Sequence, residues 1–79
     1  MTNLTVVGAT TWGTTLAIIS AREGSETKIL VRSQKEATYL NSQRENTRFL
    51  PGVKIPETAI ATESLDNAFD KSEVILFAV

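Results

Sequence analysis

The chain has 79 residues, of which 42% are hydrophobic and 22% are charged, and its net charge is −1. This length suffices for one small domain, and the charge balance offers no basic excess for binding nucleic acid or an anionic membrane. The sequence contains no cysteine and no histidine, which excludes disulfides, the usual zinc sites and thiolate or imidazole catalysis within these residues.

The N-terminal residues do not have the pattern of a targeting signal. They lack both a basic start and a long apolar stretch, and no segment approaches the roughly 20 apolar residues of a membrane-spanning helix. We therefore expect a cytoplasmic protein with no membrane span.

The first predicted strand covers residues 4–7, which are apolar enough on both faces for the centre of a parallel sheet. A turn with two glycines follows it, with the sequence Gly8-Ala9-Thr10-Thr11-Trp12-Gly13. The order of strand, glycine turn and helix is that of a Rossmann dinucleotide site, where N–H groups at the start of the helix bind a pyrophosphate. Gly8 would permit the tight turn, and Gly13 would permit close packing of helix on strand.

Thr10 stands at the middle position of this motif, where a glycine normally lets the backbone approach the phosphate. Its β-branched side chain would crowd the pyrophosphate if the position requires a positive φ or a close backbone approach. We expect Thr10 to weaken cofactor binding and to leave the fold intact.

The first helix is predicted over residues 11–23, and Gly24 is placed to end it. Four residues recur at the spacing of one helix face: Trp12, Leu16, Ile19 and Ser20. Trp12 has two interpretations, because a large aromatic residue here can fill the space between helix and sheet or can line a cofactor cleft.

The second strand is predicted over residues 28–32, so that strand, helix and strand form a right-handed βαβ unit. An NAD-specific site places Asp or Glu at the end of this strand, about 20 residues after the turn, to hold the ribose 2′-hydroxyl. The sequence has Arg32 and Ser33 there instead. A guanidinium can pair with a 2′-phosphate, which favours NADP over NAD, whereas a solvated strand end is the alternative interpretation.

A second helix is predicted over residues 34–44, with Ser33 as its N-cap and Glu36 completing a capping box. The prolines and the glycine of the next segment predict an ordered or semi-ordered loop over about residues 46–57.

Two further strands are predicted, over residues 59–62 and 74–79, with a short helix over residues 65–70 that Ser64 caps. Together the elements predict an α/β fold, the N-terminal part of a doubly wound parallel sheet with strand order 3-2-1-4. Ligands bind such sheets at the switch point, which here lies between strands 1 and 4.

The chain ends in its most apolar strand, which leaves one edge of the sheet unpaired. We therefore expect residues 1–79 to be a partial dinucleotide-binding domain, truncated after the fourth strand, with a C-terminal catalytic domain absent. The alternative is a small protein completed by another subunit. Three carboxylates near this end have the spacing of a solvated surface rather than of an acid pair or a metal site: Glu63, Asp66 and Asp70.

Three segments resemble bacterial NAD(P)-dependent glycerol-3-phosphate dehydrogenases. Residues 8–17 are similar to the family's opening G-x-G-x-W-G-T-A-L-A, with Thr10 in place of its second glycine. Residues 41–56 resemble the segment N-x-x-R-x-N-x-R-[YF]-L-P-G-V-x-[LF]-P, and residues 73–79 resemble the fourth strand. All 79 residues align without an obvious gap.

The resemblance implies the interconversion of dihydroxyacetone phosphate and sn-glycerol 3-phosphate with NADPH or NADH, a reaction that feeds phospholipid synthesis. The family's substrate-binding and catalytic residues lie beyond this segment, so the resemblance gives no catalytic residue and no metal ligand here. The expected partner is the small-molecule substrate in the full-length protein. A homodimer is compatible with the sequence, and nucleic acid is not expected to bind.

The motif and the resemblance together imply these cofactor-binding residues: Gly8, Thr10, Thr11, Trp12, Gly13, Arg32, Ser33 and Phe49. Thr11 and Trp12 would lie along the pyrophosphate, and Phe49 would lie near the cofactor. Arg44 and Arg48 have two open interpretations, because they could anchor a loop through hydrogen bonds to carbonyl groups or could contact phosphate or nicotinamide.

Two alternatives stay open. One is another Rossmann oxidoreductase, such as a ketoacid reductase or a sugar-nucleotide dehydrogenase, which gives no reason for residues 44–56. The other is a non-catalytic nucleotide-binding or sensing module, or an inactive remnant, which Thr10 and the missing catalytic half suggest.

Overall fold

Four parallel strands form the main sheet of the computed structural model, which describes residues 2–79. In chain order the elements are β1 (Asn3–Val7), α1 (Thr11–Arg22), β2 (Glu26–Leu30), α2 (Gln34–Gln43), β3 (Glu45–Asn46), β4 (Leu50–Lys54), β5 (Ala59–Thr62), α3 (Leu65–Phe69) and β6 (Val74–Phe77). The main sheet has the order β5-β2-β1-β6, and β3 pairs with β4 separately. The predicted α/β fold class and the strand order 3-2-1-4 are therefore confirmed.

The strand order determines which face of the sheet each helix covers. The chain moves from β1 to β2 to β5 in one direction and then returns across the sheet to β6. Because parallel crossovers are right-handed, this reversal moves the last connection to the opposite face. Val6 and Ile29 accordingly pack with residues of α1 and α2 in the hydrophobic core. Thr5, on the other face, donates a hydrogen bond to the carbonyl oxygen of Ala68 in α3.

Small side chains dominate the side of α1 that faces the core. Its buried residues are Gly13, Thr14, Ala17, Ile18 and Ala21. Trp12 is 67% exposed and Ile19 is 53% exposed, so the face that the spacing indicated is not the buried one. The spacing was misleading because the close approach of the helix to the strands is made mainly by small residues, with Ile18 as the one large side chain on the buried side. The interpretation of Trp12 as a filler between helix and sheet is wrong for the same reason.

Two glycines set the approach of α1 to the strands. Gly8 has φ +109°, and a Cβ atom there would lie 2.9 Å from the carbonyl oxygen of Ala78. A Cβ atom on Gly13 would lie only 2.0 Å from the carbonyl oxygen of Gly8. The predicted structural roles, a tight turn at Gly8 and close packing at Gly13, are both confirmed.

The segment predicted as a loop, residues 46–57, contributes to a β-hairpin instead. Strands β3 and β4 pair antiparallel, with an irregular register between Glu45 and Asn46. Pro51 and Gly52, which predicted the loop, lie within β4. They are tolerated because β4 has only one neighbouring strand, so the missing N–H of proline need not break a ladder.

Some predicted strand boundaries differ from the observed ones. Strand β2 begins and ends two residues earlier than predicted, because Glu26 already pairs with Asn3 of β1. Arg32 and Ser33 therefore lie in the connection to α2 and not at the end of the strand. Strand β6 ends at Phe77, two residues before the predicted end.

Both predicted serine caps are confirmed. The hydroxyl of Ser33 accepts a hydrogen bond from the N–H of Glu36, and the hydroxyl of Ser64 accepts one from Asn67, each at 3.2 Å. The reciprocal bond to the Glu36 carboxylate, which a full capping box requires, is not formed among the described residues. The three carboxylates interpreted as surface groups are all exposed: Glu63, Asp66 and Asp70.

Gly13→Ala is expected to destabilise the chain strongly, because the added methyl group would overlap the Gly8 carbonyl group. Overpacking costs about 1–3 kcal/mol, and the rigid backbone obstacle places this variant at the upper end. The midpoint of thermal unfolding, followed by circular dichroism, measures the loss. Gly24→Ala is the matched control, since Gly24 has φ +94° but nothing within 4 Å of an added Cβ. It should lose about 1 kcal/mol, and equal losses in the two variants would contradict the steric explanation.

Candidate dinucleotide site

The first turn of α1 offers two unpaired N–H groups at the carboxyl edge of the sheet. The N–H of Thr14 donates to the carbonyl oxygen of Thr10 at 2.8 Å, and the N–H of Gly13 donates to the Thr10 hydroxyl at 3.0 Å. Within residues 2–79, the N–H groups of Thr11 and Trp12 have no protein acceptor, as is usual for the first helical residues. Together with the partial positive charge of the helix end, they form a pair of donors suited to an anion.

Thr10 is the N-cap of this helix, with φ −76° and ψ 176°. The position does not require a positive φ, so one of the two conditions under which Thr10 would crowd a phosphate is not met. The hydroxyl is turned inward, where it accepts from the N–H of Gly13 and donates to the carbonyl oxygen of Ala78 at 2.8 Å. Thr10 therefore fills the middle of the turn with a hydrogen-bonded side chain.

A cleft of about 310 Å³ lies beside the turn, against the β2–α2 connection and the β3–β4 hairpin. Its lining residues are Ala9, Thr10, Val31, Arg32, Glu36, Arg48 and Phe49. A second cleft, of about 360 Å³, shares Glu36, Arg48 and Phe49 with the first and includes Ser33. Both volumes fall within the range of roughly 300–1,000 Å³ that is typical of small-ligand pockets.

The structure brings four of the predicted site residues to these two clefts: Thr10, Arg32, Ser33 and Phe49. Thr11 is connected to them, because its hydroxyl donates to the carbonyl oxygen of Phe49 at 2.9 Å. Gly8 and Gly13 shape the turn between β1 and α1, which lies next to the first cleft. The exposed side chain of Trp12 lines neither cleft.

Asn46 joins the hairpin to the glycine turn, a role that the sequence did not indicate. Its side chain is buried, with 4% exposure. The amide nitrogen donates to the carbonyl oxygen of Ala9 at 2.9 Å and to the hydroxyl of Thr14 at 2.8 Å. The amide oxygen accepts from the N–H of Phe49 at 3.4 Å. The family segment N-x-x-R-x-N-x-R includes Asn46, but its spacing does not reveal this role, because Ala9 and Thr14 lie more than 30 positions earlier in the chain.

The two arginines of the hairpin segment have different roles. Arg44 ends α2 with φ 54°, and its guanidinium donates to the carbonyl oxygens of Pro56 and Ala59, the second at 2.7 Å. The anchoring interpretation is confirmed for Arg44. Arg48 is exposed in the cleft, with its guanidinium carbon 5.0 Å from the centre of the Phe49 ring. It donates to no carbonyl group in the described chain, so the anchoring interpretation is wrong for Arg48.

The groups around the first cleft suit an anionic ligand with an aromatic base. Arg32 and Arg48 carry permanent positive charges, and Glu36 offsets one of them. Val31 and Phe49 provide apolar surface against which a base can lie. Two unpaired N–H groups, two guanidinium groups and an apolar wall match the phosphates and the adenine of a dinucleotide. The donor set therefore fits this class of cofactor.

Comparison with known proteins identifies the family. The family model described as "NAD-dependent glycerol-3-phosphate dehydrogenase N-terminus" matches residues 3–79. The chain belongs to this family. The resemblance noted in the sequence is confirmed, and the alternative of another Rossmann oxidoreductase loses its basis.

Members of the glycerol-3-phosphate dehydrogenase family are similar to the chain over its whole length. The NAD(P)+ glycerol-3-phosphate dehydrogenases of Bacillus thuringiensis and Bacillus mycoides are 39% and 38% identical to it over 79 residues. The solved structure of glycerol-3-phosphate dehydrogenase from Coxiella burnetii matches 99% of the chain with a TM-score of 0.90 and 28% identity. The Saccharomyces cerevisiae structure matches 99% of it with a TM-score of 0.84, and at 22% identity that likeness concerns the fold alone.

The chain spans about a quarter of the length of these relatives. It covers 23% of each Bacillus protein and 24% of the Coxiella burnetii chain. The family is one of oxidoreductases that use a nicotinamide cofactor. Over residues 2–79, none of the helices combines the length and the apolar character needed to cross a bilayer.

Asn46→Asp is expected to destabilise the chain at neutral pH, because a carboxylate cannot donate to the carbonyl oxygen of Ala9. Leaving such a buried partner unsatisfied costs about 1–3 kcal/mol. Burial beside an acceptor raises the pKa of the introduced carboxyl group above its unfolded value. The fold is therefore favoured at low pH, and this contribution is lost as the pH rises through the raised pKa.

The measurement is urea unfolding at pH 7 and at about pH 4, with the variant compared with the wild type at each pH. We expect the difference between them to shrink at the lower pH. Asn67→Asp is the control, because Asn67 is exposed on α3 and its replacement should change stability little at either pH. A loss for Asn46→Asp that is the same at both pH values would contradict the donor role.

Proposed function

We propose that this chain is the cofactor-binding part of an NAD(P)-dependent glycerol-3-phosphate dehydrogenase, which interconverts dihydroxyacetone phosphate and sn-glycerol 3-phosphate. Family membership supports the reaction. One observation carries the cofactor role: the glycine turn, through Ala9 and Thr10, shares a cleft with Arg32 and Arg48. The carboxyl edge of a doubly wound sheet is where such folds bind dinucleotides.

The pyrophosphate is proposed to lie at the start of α1. Gly8 and Gly13 hold the tight turn, and the unpaired N–H groups of Thr11 and Trp12 bind phosphate oxygens. The side chain of Thr10 leaves the pyrophosphate less room to approach the backbone of this turn. The indole ring of Trp12 borders the nicotinamide side in this arrangement, which its exposure permits.

The adenosine end is proposed to lie in the cleft on the other side of Thr10. Arg32 and Ser33 face the ribose, and Phe49 lies near the base. A 2′-phosphate would pair with the guanidinium groups of Arg32 and Arg48, which supports NADP as the favoured cofactor, with NAD as the weaker ligand. Glu36 lines the same cleft, and its negative charge offsets one of the two guanidinium charges. The preference for NADP over NAD therefore depends on the one positive charge that remains.

Bound nicotinamide supplies the hydride chemistry, and the residues of this chain hold and orient the dinucleotide. We propose no catalytic residue and no metal ligand within residues 1–79. The groups that bind substrate and stabilise the developing alkoxide belong to a further, C-terminal domain, so these residues alone have no turnover. A cytoplasmic location and a homodimeric assembly complete the proposal.

Thr10 favours a second candidate function, a non-catalytic nucleotide-binding or sensing module. Its hydroxyl takes up the N–H of Gly13, which reduces the donors available to a diphosphate. A sensing module would bind nucleotide and show no dehydrogenase activity in any longer form of the protein. Reduction of dihydroxyacetone phosphate by the longer form would exclude it.

The cofactor proposal predicts that the chain binds NADPH at least about tenfold more tightly than NADH, a difference of about 1.4 kcal/mol. Trp12 is the sole tryptophan, so energy transfer from it to the reduced nicotinamide measures binding, and isothermal titration calorimetry provides an independent value. Arg32→Ala should weaken NADPH binding and leave NADH binding almost unchanged, because only NADPH carries the 2′-phosphate.

Arg22→Ala is the matched control, since Arg22 lies exposed in the last turn of α1, away from the cleft. It should bind both nucleotides as the wild type does. Equal affinities of the wild type for NADPH and NADH would overturn the assignment of Arg32. Binding of neither nucleotide would overturn the cofactor role itself.

A further inference from the structure

Thr10 joins the two sides of the crevice between β1 and β6. Its hydroxyl accepts from the N–H of Gly13 in the first turn of α1 at 3.0 Å. The same hydroxyl donates to the carbonyl oxygen of Ala78, which directly follows β6, at 2.8 Å. One side chain therefore caps the helix and connects it to the fourth strand of the sheet.

The side chain that makes these two bonds fills the space that a glycine at position 10 would leave empty. In a dinucleotide turn the middle glycine lets the backbone come close to the pyrophosphate. Here the hydroxyl of Thr10 lies against the N–H of Gly13, and only the N–H groups of Thr11 and Trp12 remain available. A diphosphate that needs the third donor has to displace the Thr10 side chain.

Displacing Thr10 is costly because of its second partner. Ala78 is 5% exposed. Among the described residues, the hydroxyl of Thr10 is the one hydrogen-bond donor to its carbonyl oxygen. Moving the hydroxyl away leaves this buried oxygen unsatisfied. The side chain is also held in an ordinary N-cap geometry, with φ −76°, so no backbone strain favours its release.

The adenosine side of the site does not depend on this displacement. Arg32, Arg48 and Phe49 line the 310 Å³ cleft on the outer side of Thr10. Their guanidinium groups and aromatic ring are exposed, so a ligand can reach them while both Thr10 hydrogen bonds stay in place.

We propose that Thr10 is a latch that withholds the N–H of Gly13 from the pyrophosphate, which then binds only weakly through the N–H groups of Thr11 and Trp12, so that most of the affinity comes from the 2′-phosphorylated adenosine half of the nucleotide. This inference rests on the proposed cofactor role and specifies which part of the ligand is bound. Thr10 is in this sense a specificity-determining residue.

The test compares two ligands, NADPH and adenosine 2′-monophosphate, by calorimetric titration of the wild type, Thr10→Gly and Thr10→Ser. The wild type should bind the two ligands with affinities within about threefold of each other. Thr10→Gly frees the N–H of Gly13 and should bind NADPH about tenfold more tightly, with the affinity for adenosine 2′-monophosphate unchanged. Thr10→Ser keeps the hydroxyl and should behave as the wild type.

Thermal unfolding gives a readout that does not depend on any ligand. Thr10→Gly leaves the carbonyl oxygen of Ala78 without its donor and should lower the unfolding midpoint by about 5 °C or more, whereas Thr10→Ser should stay close to the wild type. If Thr10→Gly does not fold, Thr10→Ala also lacks the hydroxyl, keeps a Cβ atom and should give the same tightening of NADPH binding.

The outcomes separate the latch from the cofactor role. If the wild type binds both ligands and removal of the hydroxyl leaves the NADPH affinity unchanged, the latch is overturned and the cofactor role stands. A wild type that binds NADPH much more tightly than adenosine 2′-monophosphate also overturns the latch. If neither ligand binds any variant, the cofactor role fails, and the latch fails with it.

Discussion

The contact between Gly13 and the carbonyl group of Gly8 is the constraint on which the rest of the structure depends. It brings α1 so close to the strands that small residues, such as Ala17 and Ala21, make up most of the buried side of the helix, with Ile18 as its one large side chain. Trp12 and Ile19, on the other side of the helix, face outward. The same contact carries the start of the helix to the carboxyl edge of the sheet, where its unpaired N–H groups point away from the core.

The glycine turn forms one wall of the 310 Å³ cleft, and the β3–β4 hairpin, a distant part of the chain, forms another. The β3–β4 hairpin does not pair with the main sheet, so its position depends on side chains. Asn46 supplies part of this connection, because its buried amide contacts both the turn before α1 and the helix itself. Arg44 fixes the other end of the segment through the carbonyl groups near β5. These contacts hold Arg48 and Phe49 beside the glycine turn.

Local patterns in the sequence sufficed for the strand order, the helices, the serine caps and the structural roles of Gly8 and Gly13. Each of these depends on residues that are neighbours in the chain or on general rules of handedness and capping. The buried face of α1, the hairpin and the contacts of Asn46 depend on which distant residues come together, and spacing does not carry that information. Thr10 illustrates the limit: its position in the motif was clear, but its bond to Ala78 required the fourth strand to be in place.

The hydrogen bond from Thr11 to the carbonyl oxygen of Phe49 couples two regions that different parts of one ligand would contact. Thr11 offers its N–H at the start of the helix, and Phe49 presents its ring to the cleft. Because this bond lies within the chain and involves no ligand atom, it holds both contact points in register. A molecule long enough to contact both regions would therefore meet a largely preorganised surface, and little of its interaction energy would be spent on ordering the hairpin.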